Sequence, residues 1–155
     1  MWGYTYKRAM RKQFGVGFTV LELMVVICIA GILVTFWLPR AARLMDWITT
    51  DRAVHDMTTA LAVARHSAVL QATRARLTIS ADTLRIDRLE DGGWAPYWRW
   101  PGPASHGVTL QVSNPVVVFG PNGMGWGASN TTIKLSRGSH VETITTSRVG
   151  RVKVW

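Results

Sequence analysis

The hydrophobic pattern begins with one long apolar segment near the N-terminus. Residues 18–38, FTVLELMVVICIAGILVTFWL, contain a single charge, Glu22. At about 1.5 Å of rise per residue, a helix of this length spans the hydrocarbon core of a bilayer. It is longer than the apolar region of a cleavable secretory peptide, and the following Leu38-Pro39-Arg40 does not resemble a small-residue cleavage site. The sequence therefore predicts a transmembrane helix over 18–38.

After Pro39 the apolar residues recur at steps of three and four, the period of a helix with one buried face. We predict that the helix continues to about Leu70. Pro39 should bend it, because proline lacks an N–H and its ring clashes with the preceding turn. The predicted buried face consists of Leu44, Trp47, Ile48, Val54, Met57, Leu61, Ala64 and Ala68.

From Arg74 onward the period changes to two, which predicts β-strands. Alternation over 75–79 resumes at 84–86 after a turn at 81–83, so this part is predicted to be a hairpin. Glycine and proline separate the later candidate strands. Those candidates are 108–112, 116–119, 131–136, 141–147 and 149–154. The predicted fold class is α+β, with one long N-terminal helix, transmembrane then amphipathic, packed on an antiparallel β-sheet domain.

Composition and charge narrow the class of protein. Hydrophobic residues make up 48% of the 155 residues and charged residues 17%, which excludes a disordered chain. The single cysteine, Cys28, excludes a disulfide framework and reads as a small apolar filler. The net charge is +9. Four cations at 7–12 precede the apolar segment and predict a cytoplasmic N-terminus, whereas fourteen basic and eight acidic residues follow from Arg40 onward.

The residues around the start of the apolar segment carry a recognisable motif. A short basic leader ends in Gly17, and the sequence GFTVLEL follows. This closely resembles the class III signal of type IV pilins and type II secretion pseudopilins. In that signal Gly17 precedes the cut, Phe18 becomes the new N-terminus and Glu22 is the fifth residue of the mature chain. Pro39 falls where many members carry a helix-bending proline.

The resemblance implies a processing pathway and a location. A prepilin peptidase would cut between Gly17 and Phe18 and methylate Phe18, leaving 1–17 as a cytoplasmic leader. Residues 18–38 would then anchor the chain once in the inner membrane, and 39–155 would form a periplasmic pilin-like domain. Glu22 would serve filament assembly by pairing with the terminal ammonium of a neighbouring pilin or pseudopilin, major or minor.

The C-terminal part resembles the GspH/FimT family, through VFGPNG at 118–123, the strand containing Ile133 and Leu135, and SRVGRVKV at 147–154. DNA-binding members of that group are associated with a C-terminal Gly-Arg-x-Arg motif. Here the last position is Lys153, which keeps the charge but not the bidentate guanidinium.

The same residues can be interpreted from strand geometry. Arg151 and Lys153 would share one face of a strand, about 6.6 Å apart, which is close to the spacing of successive phosphates. Arg148 would extend this basic surface. The alternative interpretation is a solvated strand face whose charges prevent the edge from pairing with other chains.

Other clusters give weaker indications. Four aromatic residues and Arg99 within 94–100 could stack on bases or enter a partner groove, or could cover one end of the core. The four histidines show no metal-ligand spacing, and no nucleophile elbow, phosphate loop or carboxylate pair is present. We therefore predict no enzyme activity, cofactor or metal.

The favoured functional hypothesis is a minor pilin or pseudopilin that assembles into, or caps, a type IV pilus-like filament and contacts DNA through its basic C-terminal strand. A first alternative is the pseudopilin H component of type II secretion, which takes part in protein secretion across the outer membrane. A second alternative is a single-pass membrane anchor or scaffold that is never cut and keeps residues 1–17.

Overall fold

The computed structural model describes residues 18–155, so the predicted leader and Gly17 lie outside the described residues. These residues divide into two units, 18–38 and 39–155. One helix, α1 (Val20–Leu70), begins in the first unit. Thr19 is its N-cap, because the Thr19 Oγ1 accepts a 3.2 Å hydrogen bond from the Glu22 N–H. Threonine with glutamate three residues later is the capping-box pattern, which explains why the helix begins here.

In the first unit every side chain is exposed. The helix is long and apolar enough to cross a membrane, with a mean hydropathy of 2.5 over its most apolar stretch. Phe18 and Leu38, the first and last residues of the apolar segment 18–38, are about 70% exposed. Apolar surface of this extent is typical of a segment that contacts lipid or other apolar helices rather than water.

In the second unit, α1 buries one face from Thr50 onward and ends at Leu70, where the sequence predicted its end. The predicted burial of Leu44 and Trp47 is wrong, since these side chains are 55% and 48% exposed. Helical period identifies a face, but it does not show where the layer that covers this face stops. The buried residues of α1 are Thr50, Ala53, Val54, Met57, Ala60, Leu61, Ala64, Ser67 and Ala68.

Within residues 18–155, eight strands form two antiparallel sheets of four strands each. The first sheet has the order β3-β2-β1-β5. Its strands are β1 (Ala75–Ile79), β2 (Thr83–Glu90), β3 (Gly93–Pro101) and β5 (Val116–Phe119). The second sheet has the order β4-β6-β7-β8. Its strands are β4 (Thr109–Val112), β6 (Thr131–Arg137), β7 (His140–Thr146) and β8 (Val152–Val154).

Most predicted strands are confirmed, and two predictions need correction. The β1–β2 hairpin pairs Leu77 with Ile86, as the alternation required. The last strand begins at Val152 rather than at 149, because residues 147–150 form a turn. Strand β3 was missed: the ladder shifts register between Ile86 and Asp87 opposite 96–98, and this bulge breaks the period of two.

The hydrophobic core is a single cluster to which the helix and both sheets contribute. Met57 and Leu61 of α1, Phe119 of the first sheet, and Ile133 and Ile144 of the second are all at most 1% exposed. Each sheet therefore has an inner face directed at this core and an outer face directed at solvent.

Candidate functional site

Strand β8 fixes the direction of the predicted basic residues. Lys153 pairs with Thr145 of β7, whereas its neighbours Val152 and Val154 pair with Thr146 and Ile144. Ile144 is fully buried, so Val152 and Val154 share the inner face and Lys153 points outward. The predicted alternation is therefore confirmed over Val152–Val154, whereas Arg151 lies just before the strand.

A tight turn brings Arg148 and Arg151 to the same end of the strand. The Ser147 carbonyl accepts a hydrogen bond from the Gly150 N–H at 2.9 Å, and the Ser147 Oγ accepts one from the Arg151 N–H at 3.2 Å. Gly150 has a φ of 75°, and a Cβ at this position would lie 2.5 Å from the carbonyl oxygen of Gly123. Only glycine fits both conditions.

Arg151 and Lys153 line one open hollow of about 520 Å³ on the second sheet. The rest of its lining is polar and rich in hydroxyl groups. The Thr146 Oγ1 is buried and has no hydrogen-bond partner within residues 18–155. Cations beside hydroxyl donors are suited to anionic oxygens. The other lining residues are Ser113, Asn130, Thr131, Thr132, Thr145, Thr146 and Ser147.

Arg148 lines an adjoining hollow of about 620 Å³ that shares Ser113 and Asn130 with the first. The structure thus brings together the three basic residues that the sequence singled out. Within the described chain, no carboxylate lies within 4.0 Å of any of them. The Lys153 Nζ instead lies 3.2 Å from the ring centroid of Trp155, a cation–π contact.

Sequence reasoning missed Lys134, an exposed residue of β6. Lys134 lines a third hollow with Thr132, and Thr132 also lines the hollow of Arg151 and Lys153. The alternation over 131–136 placed Thr132 and Lys134 on one face, but only the cross-strand register shows that this face is also the outer face of β8. We call this outer face, with Arg148, Arg151, Lys153 and Lys134, the basic face.

The basic face carries no outward-facing acidic residue in its four described strands. The register of β4, β6, β7 and β8 directs Thr, Gln, Ser, Val and Lys outward. Glu142 pairs with the buried Leu135 and therefore belongs to the inner side, where the His140 Nε2 lies 3.2 Å from its Oε1. The charged side chains that these four strands direct outward are therefore all basic.

The N-terminal candidate residues lie apart from this face in the chain. Phe18 is 72% exposed, and Glu22 is an exposed carboxylate in the first turn of α1. The helix continues through Pro39 without interruption of its secondary structure, and the bend at Pro39 stays a prediction. Across residues 18–155, no group of three His, Cys, Asp or Glu side chains is placed to hold a metal ion.

The long helix packed on antiparallel sheets is the architecture of a pilin-like subunit. The chain belongs to the GspH family: the family model described as "Type II transport protein GspH" matches residues 53–150. Comparison with curated proteins gave no match. The family and the fold are those of structural pilins, so the chain is a minor pilin-like or pseudopilin-like structural subunit.

Solved structures share this fold. Two crystal forms of the type IV minor pilin FimU from Pseudomonas aeruginosa align with TM-scores of 0.61 and 0.57 at 18% and 19% identity. They cover 72% and 68% of this chain and 92% and 91% of FimU. The minor pseudopilin EpsH of the Vibrio cholerae type 2 secretion system aligns with a TM-score of 0.54 at 14% identity, over 71% of this chain and 95% of EpsH. At these identities the likeness concerns the fold.

Arg65 connects the basic face to the helix, since its Nη1 donates a 3.1 Å hydrogen bond to the Gly150 carbonyl. We expect Arg65→Met to loosen the turn by about 1 kcal/mol, the usual net contribution of one hydrogen bond. Hydrogen exchange over 147–155 should then speed up about fivefold. The matched control is Arg52→Met, an exposed arginine on the same helix. Equal exchange in both variants would show that Arg65 does not hold the turn.

Proposed function

We propose that this chain is a minor subunit of a type IV pilus-like filament, made as a precursor and anchored in the inner membrane by 18–38. Cleavage between Gly17 and Phe18, with methylation of Phe18, would release the mature subunit for assembly with other pilins or pseudopilins. The observation that carries the proposal is a charged side chain, Glu22, within the otherwise apolar segment 18–38, in which every residue is exposed.

Glu22 has two roles in this proposal. Its backbone N–H donates the capping hydrogen bond to the Thr19 Oγ1, and a carboxylate near a helix N-terminus is favourable on its own. That local role is small, whereas a carboxylate inside hydrocarbon is costly unless a positive partner is present. The terminal ammonium created at Phe18 of a neighbouring subunit supplies such a partner and sets the axial register between subunits.

The variant Glu22→Gln separates the two roles, because glutamine still fits a capping box but carries no charge. We expect the variant to reach the membrane as the parent chain does. Its recovery in sheared filaments should fall at least tenfold, since a buried ammonium without its partner costs about 3–5 kcal/mol. The measurement is quantitative immunoblotting of filament and membrane fractions, with Thr35→Val as a control within the same apolar segment. Undiminished incorporation would contradict the pairing.

Contact with DNA is the finer part of the proposal. It is supported by the basic face, on which Arg148, Arg151, Lys153 and Lys134 lie without carboxylates among hydroxyl-bearing side chains. Such a surface neutralises phosphates without reading bases, so affinity should depend steeply on salt. Lys134 and Lys153 sit on strands of the second sheet, whereas Arg148 and Arg151 sit in and just after the turn that leads into β8. The strands and the hydrogen-bonded turn hold these cations in place to contact a nucleic-acid backbone.

For the full-length chain in detergent, we expect Arg151→Gln/Lys153→Gln to weaken binding of a 30-base-pair duplex about tenfold or more at low salt. The slope of log affinity against log salt should become shallower by about 1.8, from two lost phosphate contacts. The control Arg40→Gln/Arg52→Gln removes the same charge from exposed positions of α1. Equal effects of both double variants would mean that only net charge matters and would remove the site.

A role as the pseudopilin H component of type II secretion is the second candidate, favoured by the description of the matching family as a type II transport protein. In that case the basic face would contact another pseudopilin or a secreted protein. The duplex experiment distinguishes the two, because this candidate requires no loss of DNA affinity specific to Arg151 and Lys153.

A further inference from the structure

The outer face of the first sheet carries a second cationic surface of different chemistry. Arg76 pairs across the sheet with Asp87 and Val118, and Arg85 pairs with Thr78 and Arg99. The residues that alternate with them, such as Leu77 and Leu84, are buried against the core. Arg76, Arg85 and Arg99 therefore share the outer face, and Arg74 lies two residues before Arg76.

Two tryptophans are stacked on this arginine row. The Arg74 guanidinium carbon lies 3.7 Å from the ring centroid of Trp126, and that of Arg76 lies 4.5 Å from the ring centroid of Trp94. The tryptophans remain 52% and 38% exposed. Trp126 lies beside β5, where its backbone N–H donates to the Val118 carbonyl at 2.7 Å. Trp94 belongs to β3. They lie towards opposite edges of the sheet, Trp94 on the edge strand β3 and Trp126 beside the edge strand β5.

Charge on this face is only partly compensated. Among the residues that the four strands of the first sheet direct outward, Asp87 is the one acidic residue, and it is 3% exposed. Its Oδ2 lies 2.7 Å from the Arg76 Nη2 and 3.1 Å from the Arg85 Nη2. Arg74 and Arg99 have no carboxylate within 4.0 Å among residues 18–155. The Arg85 Nε is buried and has no hydrogen-bond partner within the same residues. The four arginines of this face are opposed by Asp87 alone, so its net charge is +3.

We propose that this arginine–tryptophan face, defined by Arg74, Arg76, Arg85, Arg99, Trp94 and Trp126, binds single-stranded nucleic acid. Exposed aromatic rings on the surface of a sheet are stacking platforms for unpaired bases, and every base offers a π-face. Arginines two residues apart along a strand are spaced about 6.6 Å, which suits successive phosphates of an extended single strand. In a duplex the bases are already stacked, so the tryptophans would add nothing to its binding.

The proposal does not rest on the basic face, which belongs to the other sheet. Its test uses the full-length chain in detergent and a fluorescein-labelled 20-mer of thymidine, with affinity read by anisotropy. We expect Trp94→Leu/Trp126→Leu to weaken binding of the single strand about tenfold per lost ring and to leave duplex binding within twofold. The 20-mer should also quench the tryptophan fluorescence of the parent chain but not that of the double variant.

Two further variants keep the outcome decisive. Trp47→Leu removes an exposed tryptophan from α1 and should leave affinity unchanged. Arg99→Gln should make the salt slope for the single strand shallower by about 0.7, and it is informative even if the double tryptophan variant does not fold. The proposal is overturned if the parent chain does not bind the 20-mer, if both Trp94→Leu/Trp126→Leu and Arg99→Gln leave its binding unchanged, or if duplex and single strand lose affinity equally. In that last case the face would be a general anion surface, open to an acidic protein as well.

Discussion

Packing of one narrow face of α1 against both sheets is the constraint on which the rest of the structure depends. Ala53, Ala60 and Ala64 are at most 1% exposed, so this face of the helix is covered at each of these small side chains. Met57 and Leu61 between them fill the remaining space. Because each sheet uses its inner face on this helix, each outer face is left free. Truncation of Met57 or Leu61 to alanine would lower the free energy of unfolding by about 2–5 kcal/mol.

The same arrangement sorts the charges. Two acidic residues of α1 pair with basic residues far along the chain. The Asp46 Oδ1 lies 3.2 Å from the Arg137 Nε, and the Asp56 Oδ2 lies 2.9 Å from the His106 Nε2. Pairs of this exposure contribute little stability each, but they remove carboxylates from the outer faces. The surplus of cations from Arg40 onward therefore appears on the two outer faces instead of being spread evenly.

These two cationic faces differ in what surrounds the charge. On the second sheet the cations lie among hydroxyl groups and small side chains, which favours phosphate contact alone. On the first sheet they alternate with indole rings, which adds a stacking surface. The two faces adjoin at one point, where the Gly125 N–H, next to Trp126, donates to the Arg148 carbonyl at 2.7 Å. The two proposals name different side chains, so each set can be replaced separately.

Much of the fold could be predicted because its signals are local. The end of α1 at Leu70 and the β1–β2 hairpin follow from periods of about 3.6 and 2. The exposure of Leu44 could not be predicted, since it depends on where the sheets end. Strand β3 was hidden by a bulge, and its role in the arginine–tryptophan face needs cross-strand register.

The candidate sites show the same limit. Arg151 and Lys153 were found because they are two residues apart in an alternating segment, although Arg151 lies just before β8. Lys134 joins them only through pairing of β6 with β7 and of β7 with β8. Trp126 reaches Arg74 from a glycine-rich loop far along the chain, and no period in the sequence connects the two. Which residues meet in these sites is therefore determined by pairing between distant strands, and local sequence patterns do not show it.

The central claim is that the chain is a processed filament subunit, and the intact mass and N-terminal sequence of the membrane-extracted protein test it most directly. The measurement is made with and without a co-expressed prepilin peptidase. The account predicts a chain that starts at Phe18 and carries one added methyl group when the peptidase is present. A chain that still starts at Met1 beside an active peptidase would contradict it and would identify a single-pass anchor.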